Sequence, residues 1–256
     1  MKWPNYILFL RHDTSKFNRL RELKAQDPEY DRFKLAYEEN PESPETRALA
    51  MLLHLRYKLE VADCRTPLAD AEAKRAVITG QNLRDQIAAP ELIFCSPYER
   101  TKSTLVGLQK GWPELANVKM VEEERIRELE HGLSLLYNDW RIYFAFYPEQ
   151  RRLYEQEGPY WFRWQQGENV PDVRERVRSW LNTLTRDFSG KKILVVSHHL
   201  TILALRANLE RLDEHEFNRI DEEEKPINCG ATLYTGIPDQ GSNGRLDLTY
   251  YNRSFA

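Results

Sequence analysis

Three short apolar runs constrain this chain more than any other feature. Tyr6-Ile7-Leu8-Phe9-Leu10 leads into Arg11-His12, Leu92-Ile93-Phe94-Cys95 into Ser96-Pro97, and Ile193-Leu194-Val195-Val196-Ser197 into His198-His199. Runs that are apolar at every position, rather than at every second one, suit strands covered on both faces, as in a parallel sheet between two helix layers. In such sheets sites form outside the carboxyl ends of the strands, which is where each run here delivers polar groups. The expected fold is α/β: a three-layer αβα sandwich with a mostly parallel sheet and helical insertions over the strand C-terminal ends, built as a single domain over residues 1–256.

Helical patterning fills the intervals. Val170, Val173, Val177, Trp180, Leu181, Leu184 and Phe188 make an apolar stripe, with Pro171 in its first turn. Ala76, Gly80 and Leu83 share one face of an earlier helix, small enough to pack closely on a sheet. Thr232 to Thr235 and Leu246 to Tyr251 read as late strands, with Asp239-Gln240-Gly241-Ser242-Asn243-Gly244 as the turn between them. Two stretches fall outside this rhythm. Residues 16–66 are rich in charge, carry a Leu49, Leu52, Leu53, Leu59 stripe, and read as a helical insertion serving as a cap or an oligomer surface. Residues 133–165 are crowded with aromatics, among them Trp140, Tyr143, Phe144, Phe162 and Trp164, and read as a lid with its own core. Some of its rings, together with Arg141, Arg151, Arg152 and Arg163, are expected to shape a substrate entrance.

Charge and cysteine usage exclude several classes. With 37 basic and 40 acidic side chains the net charge is −3, so no global field draws nucleic acid. Cys64, Cys95 and Cys229 stand singly and in odd number, which argues against a zinc site or disulfide framework and for a reducing, cytoplasmic setting. The first apolar run is too short for a signal peptide, and none approaches the roughly 20 residues of a membrane span. Neither a nucleic acid nor a membrane is expected as a partner; a homodimer is left open.

The chemistry concentrates at the strand ends. Arg11, His12 and His198, with Arg100 following the Ser96-Pro97 turn, would make a strongly cationic pocket. Its natural guest is a phosphoryl group, whose oxygens match arginine forks. A histidine attacks phosphorus from a neutral ring nitrogen, so its other nitrogen needs a hydrogen-bond acceptor. The remaining cations would stabilise charge on the equatorial oxygens, and a carboxylic acid is needed to protonate the leaving oxygen. Two adjacent histidines invite a metal reading, but no third ligand stands at a suitable spacing. Cys95 and Arg100 invite a cysteine-phosphatase reading. Four residues separate them, none glycine, and Pro97 removes an amide that such a loop would aim at phosphate.

Four segments in order carry a resemblance to a known family. Arg11-His12-Asp13-Thr14-Ser15-Lys16-Phe17-Asn18 resembles the R-H-G-E-S-x-x-N signature of the histidine phosphatase superfamily, the phosphoglycerate mutase-like branch 1. Ser96 to Thr104 resembles its S-x-x-x-R-[AT]-x-x-T segment, Arg127 to Gly132 its acidic segment, and Val196-Ser197-His198-His199 its V-S-H-G. Pro67-Leu68 through Leu83 and Gly167-Glu168-Asn169 through Val177 resemble the helices between.

The resemblance implies a metal-independent phosphomonoesterase of the histidine acid phosphatase type, without cofactor, acting on a small phosphorylated metabolite through a phosphohistidine on His12. It makes Arg11, Arg100 and His198 the rest of the phosphate pocket and Glu128 the general acid, with Glu130 as fallback. Asn18 is implied as a phosphate donor, and Ser15 as a contact through its hydroxyl or amide. Asp13 and His199 replace family glycines. Both residue types tolerate positive φ, and repulsion from phosphate predicts that the Asp13 carboxylate points away from the pocket. A mutase, a catalytically dead phospholigand binder, and an interaction module built on the insertion are the alternatives.

Overall fold

The computed structural model describes residues 2–240 and 244–256. Gly241, Ser242 and Asn243 of the expected turn lie outside the described residues. The strands are β1 (Tyr6–Arg11), β2 (Leu92–Cys95), β3 (Lys119–Glu122), β4 (Lys192–Ser197), β5 (Ala231–Ile237) and β6 (Arg245–Arg253). They form one sheet in the order β3-β2-β4-β1-β5-β6. The three apolar runs are its centre. β4 pairs in parallel with both β1 and β2, and β3 continues the parallel half, whereas β5 and β6 are antiparallel additions. The register sets Arg11 opposite Ser197 and Cys95 opposite Val196. The polar residues that follow the three strands therefore emerge at one level.

The continuous apolarity of the central strands divides by alternation between two cores. Ile7, Phe9, Phe94, Ile193 and Val195 face α8 (Val170–Asp187) and α9 (His199–Glu210), packing on Val177, Trp180 and Ile202. Leu8, Leu10, Ile93, Leu194 and Val196 face α4 (Lys74–Arg84) and α5 (Glu99–Gly111), packing on Ala76, Leu83 and Leu108. A side chain at Gly80 would press on the Leu108 carbonyl, and one at Gly111 would overlap the backbone at Val77, so glycine permits this close crossing of α4 and α5. α8 starts as its sequence suggests: Asn169 and Asp172 form a reciprocal capping box and Pro171 occupies the first turn.

The two irregular stretches build a third core between them. The insertion holds α1 (Lys16–Ala25), α2 (Pro28–Glu39) and α3 (Pro44–Tyr57). The aromatic stretch holds α6 (Trp140–Phe146) and α7 (Pro148–Trp161). Tyr30, Phe33, Leu49 and Leu53 pack directly with Ile142, Tyr143, Phe144 and Phe162. The expected leucine stripe is corrected here. Leu49, Ala50 and Leu53 face the core, Leu52 is 41% exposed, and Leu59 lies past the end of α3. Arg151, Arg152 and Arg163 are also corrected: they pair with Glu42, Glu42 and Asp172 respectively, and none lines the main cleft, whereas Arg141 does. Among the described residues no helix is long and apolar enough to cross a membrane.

A buried ion pair joins the two stretches. Lys24 of α1, 2% exposed, donates to Asp139 Oδ2 at 2.8 Å and to the Asn138 carbonyl at 2.6 Å, and Tyr30 donates to the same carboxylate oxygen at 2.6 Å. Asp139 also caps α6 through the Arg141 amide. Removing one partner of such a pair strands the other charge, at about 3–5 kcal/mol. Asp139→Ala is expected to lose stability on that scale in urea unfolding; a loss below about 1 kcal/mol would contradict this account of the cap.

Candidate active site

His12 follows β1 directly. Its backbone N–H donates to the Ser197 carbonyl at 3.0 Å, which ties it to the end of β4, and the residue is 3% exposed. Nδ1 lies 2.6 Å from the Asp13 carbonyl oxygen. A carbonyl can only accept, so the proton sits on Nδ1 and the lone pair on Nε2. Nε2 in turn accepts from Arg100 Nε at 3.2 Å. The nitrogen that could act as a nucleophile is thereby fixed.

His198 ends β4 as the N-cap of α9 and is fully buried, its ring centroid 5.2 Å from that of His12. Its Nε2 shares a 2.7 Å hydrogen bond with the Ser96 hydroxyl at the end of β2, and Nδ1 has no partner among the described residues. The Tyr98 ring packs against His198 at 4.9 Å and against the Arg100 guanidinium at 4.8 Å. Arg11 donates Nη1 to the Pro226 carbonyl, and its buried Nε is without a partner among the described residues.

Burial and the charges of Arg100 and Arg11 hold the His12 imidazolium form well below its usual range; burial, Arg100 and His12 do the same to His198. Burial also pushes Arg11 down to about 10, which leaves it charged at neutral pH.

Glu128 lines the same cleft. Its Oε1 accepts from the amides of Leu129 (3.0 Å) and Leu200 (3.2 Å), and Oε2 is left without a hydrogen bond among the described residues. The segment carrying it is clamped from behind. Arg176 of α8 grips Glu168 through Nε and Nη2 (2.9 and 3.0 Å) and donates to the carbonyls of Arg125 and Glu128. Glu168 accepts from Arg127 and from the Glu130 amide. Ser197 and Thr201 hydroxyls hold the Ile126 and Arg127 carbonyls. Glu130 itself is exposed, pairs with Arg127 and does not line the cleft.

Ser15 lines the cleft, and its polar groups also serve a helix start. It is the N-cap of α1, and both its amide (3.1 Å) and its hydroxyl (2.9 Å) donate to Asn18 Oδ1. Asn228 Nδ2 approaches the same oxygen at 3.4 Å. With Oδ1 held by three donors, the amide nitrogen is the end of Asn18 left for a ligand.

Asp13 points away, as charge repulsion predicts. Its carboxylate accepts from the Ala76 and Thr14 amides, outside the cleft. Neither Asp13 nor His199 has positive φ, so the tolerance invoked for those replacements is not used. His199 lines the cleft with Nε2 2.7 Å from Asp221 Oδ1 on α10 (Glu214–Glu223). Burial pushes the Cys95 thiol up to about 12, which leaves it inert as a nucleophile at neutral pH. Sequence reasoning missed Asp63, Tyr98 and Asn228 as parts of the site. Tyr98 stands at an unspecified position of the Ser96–Thr104 segment, and no local pattern marks Asp63 or Asn228, each of which reaches the site from a separate loop.

The cleft encloses about 540 Å³, more than a phosphoryl group needs, with Arg11, His12, Asn18 and Arg100 at its base and Trp140, Tyr154 and Trp164 on its cap side. Among the described residues no group of three or more His, Cys, Asp or Glu is placed to hold a metal ion. A buried imidazole with a fixed tautomer, two guanidiniums and a carboxyl group lining one cavity, with the His198 ring buried directly behind His12, can receive a group that carries negative charge. NMR titration of ring protons is expected to find His12 and His198 uncharged at pH 6; a midpoint near 6.5 for either would contradict the electrostatics given above.

Residues 61–232 match the family model described as histidine phosphatase superfamily (branch 1). The phosphoglycerate mutase-like protein AT74H of Arabidopsis thaliana is 26% identical over 179 residues, covering 62% of this chain and 61% of that protein. Phosphoserine phosphatase 1 of Hydrogenobacter thermophilus is 28% identical over 153 residues, covering 59% and 67%. The chain thus spans about two thirds or less of these relatives. The fold is similar over 98% of both chains to a mycobacterial glucosyl-3-phosphoglycerate phosphatase solved with inorganic phosphate, with a TM-score of 0.63 and 19% identity.

Proposed function

The chain belongs to the histidine phosphatase superfamily (branch 1), and from that premise we propose that it is a metal-independent phosphomonoester hydrolase in which His12 carries the phosphoryl group. The observation that carries this reading is the fixed tautomer of His12: Nδ1–H on the Asp13 carbonyl, lone pair on Nε2, in a pocket that keeps the ring neutral.

In the first step the Nε2 lone pair forms a P–N bond as the P–O ester bond breaks, and Glu128 Oε2 gives its proton to the leaving oxygen. In the second, Glu128 takes a proton from water, the water oxygen bonds to phosphorus, and the P–N electrons return to Nε2. The Asp13 carbonyl stabilises the positive charge that the phosphorylated ring carries. Arg11, Arg100, Asn18 Nδ2 and His198 Nδ1–H supply donors for the equatorial oxygens, the Ser96 hydroxyl donating to Nε2 in that tautomer. A mutase would use the same first step and return the phosphoryl group to an organic acceptor. The mutase-like relative keeps that reading as the second one, and phosphate released without an isomerised product decides against it.

The substrate class is a small phosphorylated metabolite, and the cleft suggests a further feature of it. Asp139 is neutralised by Lys24 and Asp63 by Arg100. Arg21 of α1 and Arg141 of α6, which also line the cleft, have no carboxylate partner among the described residues and rest on Phe17 and Trp140. These two guanidiniums, in a cleft that Lys225, Asp221 and Glu222 also line, would suit a phosphomonoester with a second acidic group.

Two experiments test the proposal. In excess EDTA, hydrolysis of p-nitrophenyl phosphate is expected for the wild type and not for His12→Ala. Glu128→Ala is expected to lose about 10²–10⁴ on alkyl phosphates and less on p-nitrophenyl phosphate, whose leaving group needs no proton; equal losses would remove Glu128 from the acid role. For the second, Arg21→Ala/Arg141→Ala is expected to lower kcat/KM for 3-phosphoglycerate at least about tenfold, more than for glycerol 3-phosphate, as loss of two charge-assisted contacts implies. Parallel losses would show that these arginines do not read the substrate.

A further inference from the structure

Asp63 sits in a short 3₁₀ turn (Asp63–Arg65) between the cap helices and α4, and it is the residue that most fully occupies Arg100. Arg100 Nη1 donates to the Asp63 carbonyl and to Oδ1, both at 2.8 Å, and Nη2 donates to Oδ2 at 3.2 Å. A guanidinium has five N–H groups and two usable edges. The end-on edge, Nη1 with Nη2, is taken by Asp63. The side-on edge is Nε with the remaining Nη2–H, and Nε is the atom that meets His12 Nε2 at 3.2 Å. Tyr98 covers a face of the same group at 4.8 Å, so its plane and its rotation are both set.

We propose that Asp63 is a positioning residue for phosphoryl transfer: it holds Arg100 by the end-on edge so that the side-on edge faces the phosphoryl group at His12. The inference rests on the phosphatase reading and extends it. In the free protein the Nε–H bonds to the lone pair of the nucleophile. As that lone pair becomes the P–N bond, the Nε–H loses its acceptor and passes to a phosphoryl oxygen that arrives at the same place, with the spare Nη2–H beside it. The interaction with the oxygen is then made in the transition state and not with the free nucleophile, which is the kind of contact that raises kcat. Because Asp63 belongs to the turn that closes the cap, the cap takes part in aiming the arginine. The opposite reading of the same contact is a competitor: a carboxylate standing where phosphate should bind.

Asp63→Asn and Asp63→Ala, each alone and combined with Arg100→Lys, separate the two. kcat and KM on p-nitrophenyl phosphate would be read together with the dissociation constant of orthovanadate, followed through the fluorescence of the cleft tryptophans. The expected result for Asp63→Ala is a fall in kcat of about 10- to 100-fold, as a misaligned group produces, with KM changing less and vanadate binding weaker. Asp63→Asn, which keeps one acceptor oxygen, recovers part of that loss. In the Arg100→Lys background both Asp63 substitutions change little, since an ammonium has no side-on edge to aim; a merely structural loss would persist there. Unchanged kcat, tighter vanadate binding in Asp63→Asn, or losses that simply add in the double variants would overturn the inference. A wild type no more active than His12→Ala would instead sink the phosphatase reading, and the vanadate affinities would still decide the role of Asp63.

Discussion

A neutral imidazole buried among guanidiniums is the condition on which the rest of the site depends. Protonating His12 would place a third cation beside Arg11 and Arg100 at 3% exposure, and both burial and charge oppose it. The same field that keeps the lone pair on Nε2 is the field that would receive a dianionic phosphoryl group. Under the proposed function, one arrangement of charge would prepare the nucleophile and the binding pocket together. The Asp13 carbonyl completes it by fixing which nitrogen carries the proton.

Holding like charges together demands rigid support, and the fold supplies it from three directions. The parallel register of β1, β2 and β4 brings His12, Ser96 and His198 to one level without any loop having to search for it. The Glu168–Arg176 clamp, 9% exposed at Glu168, ties the Glu128 segment to α8. The Lys24–Asp139 pair ties the two halves of the cap to each other. Each clamp uses a charge pair whose remaining hydrogen bonds are satisfied, the circumstance in which a buried pair is not a liability. Arg21 and Arg141 line the cleft and have no carboxylate partner among the described residues.

Much of the site was legible because its residues follow strands. A strand that is apolar at every position announces both its burial and the level at which it ends, so Arg11-His12 and His198 could be placed near one another before any contact was known. Arg100 was legible as the second residue of a helix after a Ser-Pro turn. The ligand contact at Ser15 is implied by the family resemblance alone. The capping box that Ser15 makes with Asn18 was not legible from that resemblance, although a helix start offers an amide and a carboxamide at fixed distance. The Leu52 and Leu59 positions were misread because helical spacing alone does not say where the helix ends or which neighbour it faces.

By itself the sequence determined the layered α/β scaffold, the strand ends as the place where polar groups gather, and the guanidiniums and imidazole at the base of the cleft. These follow from local patterning of apolar and charged residues along short segments. Only the tertiary structure decided which nitrogen of His12 is available, which edge of Arg100 is free, and that residues 16–66 and 133–165 share one core. Those outcomes depend on groups such as Asp63 and Asn228, which approach from distant points of the chain. Hydrogen-bond direction and side-chain packing are properties of proximity in space, and no spacing along the chain encodes them.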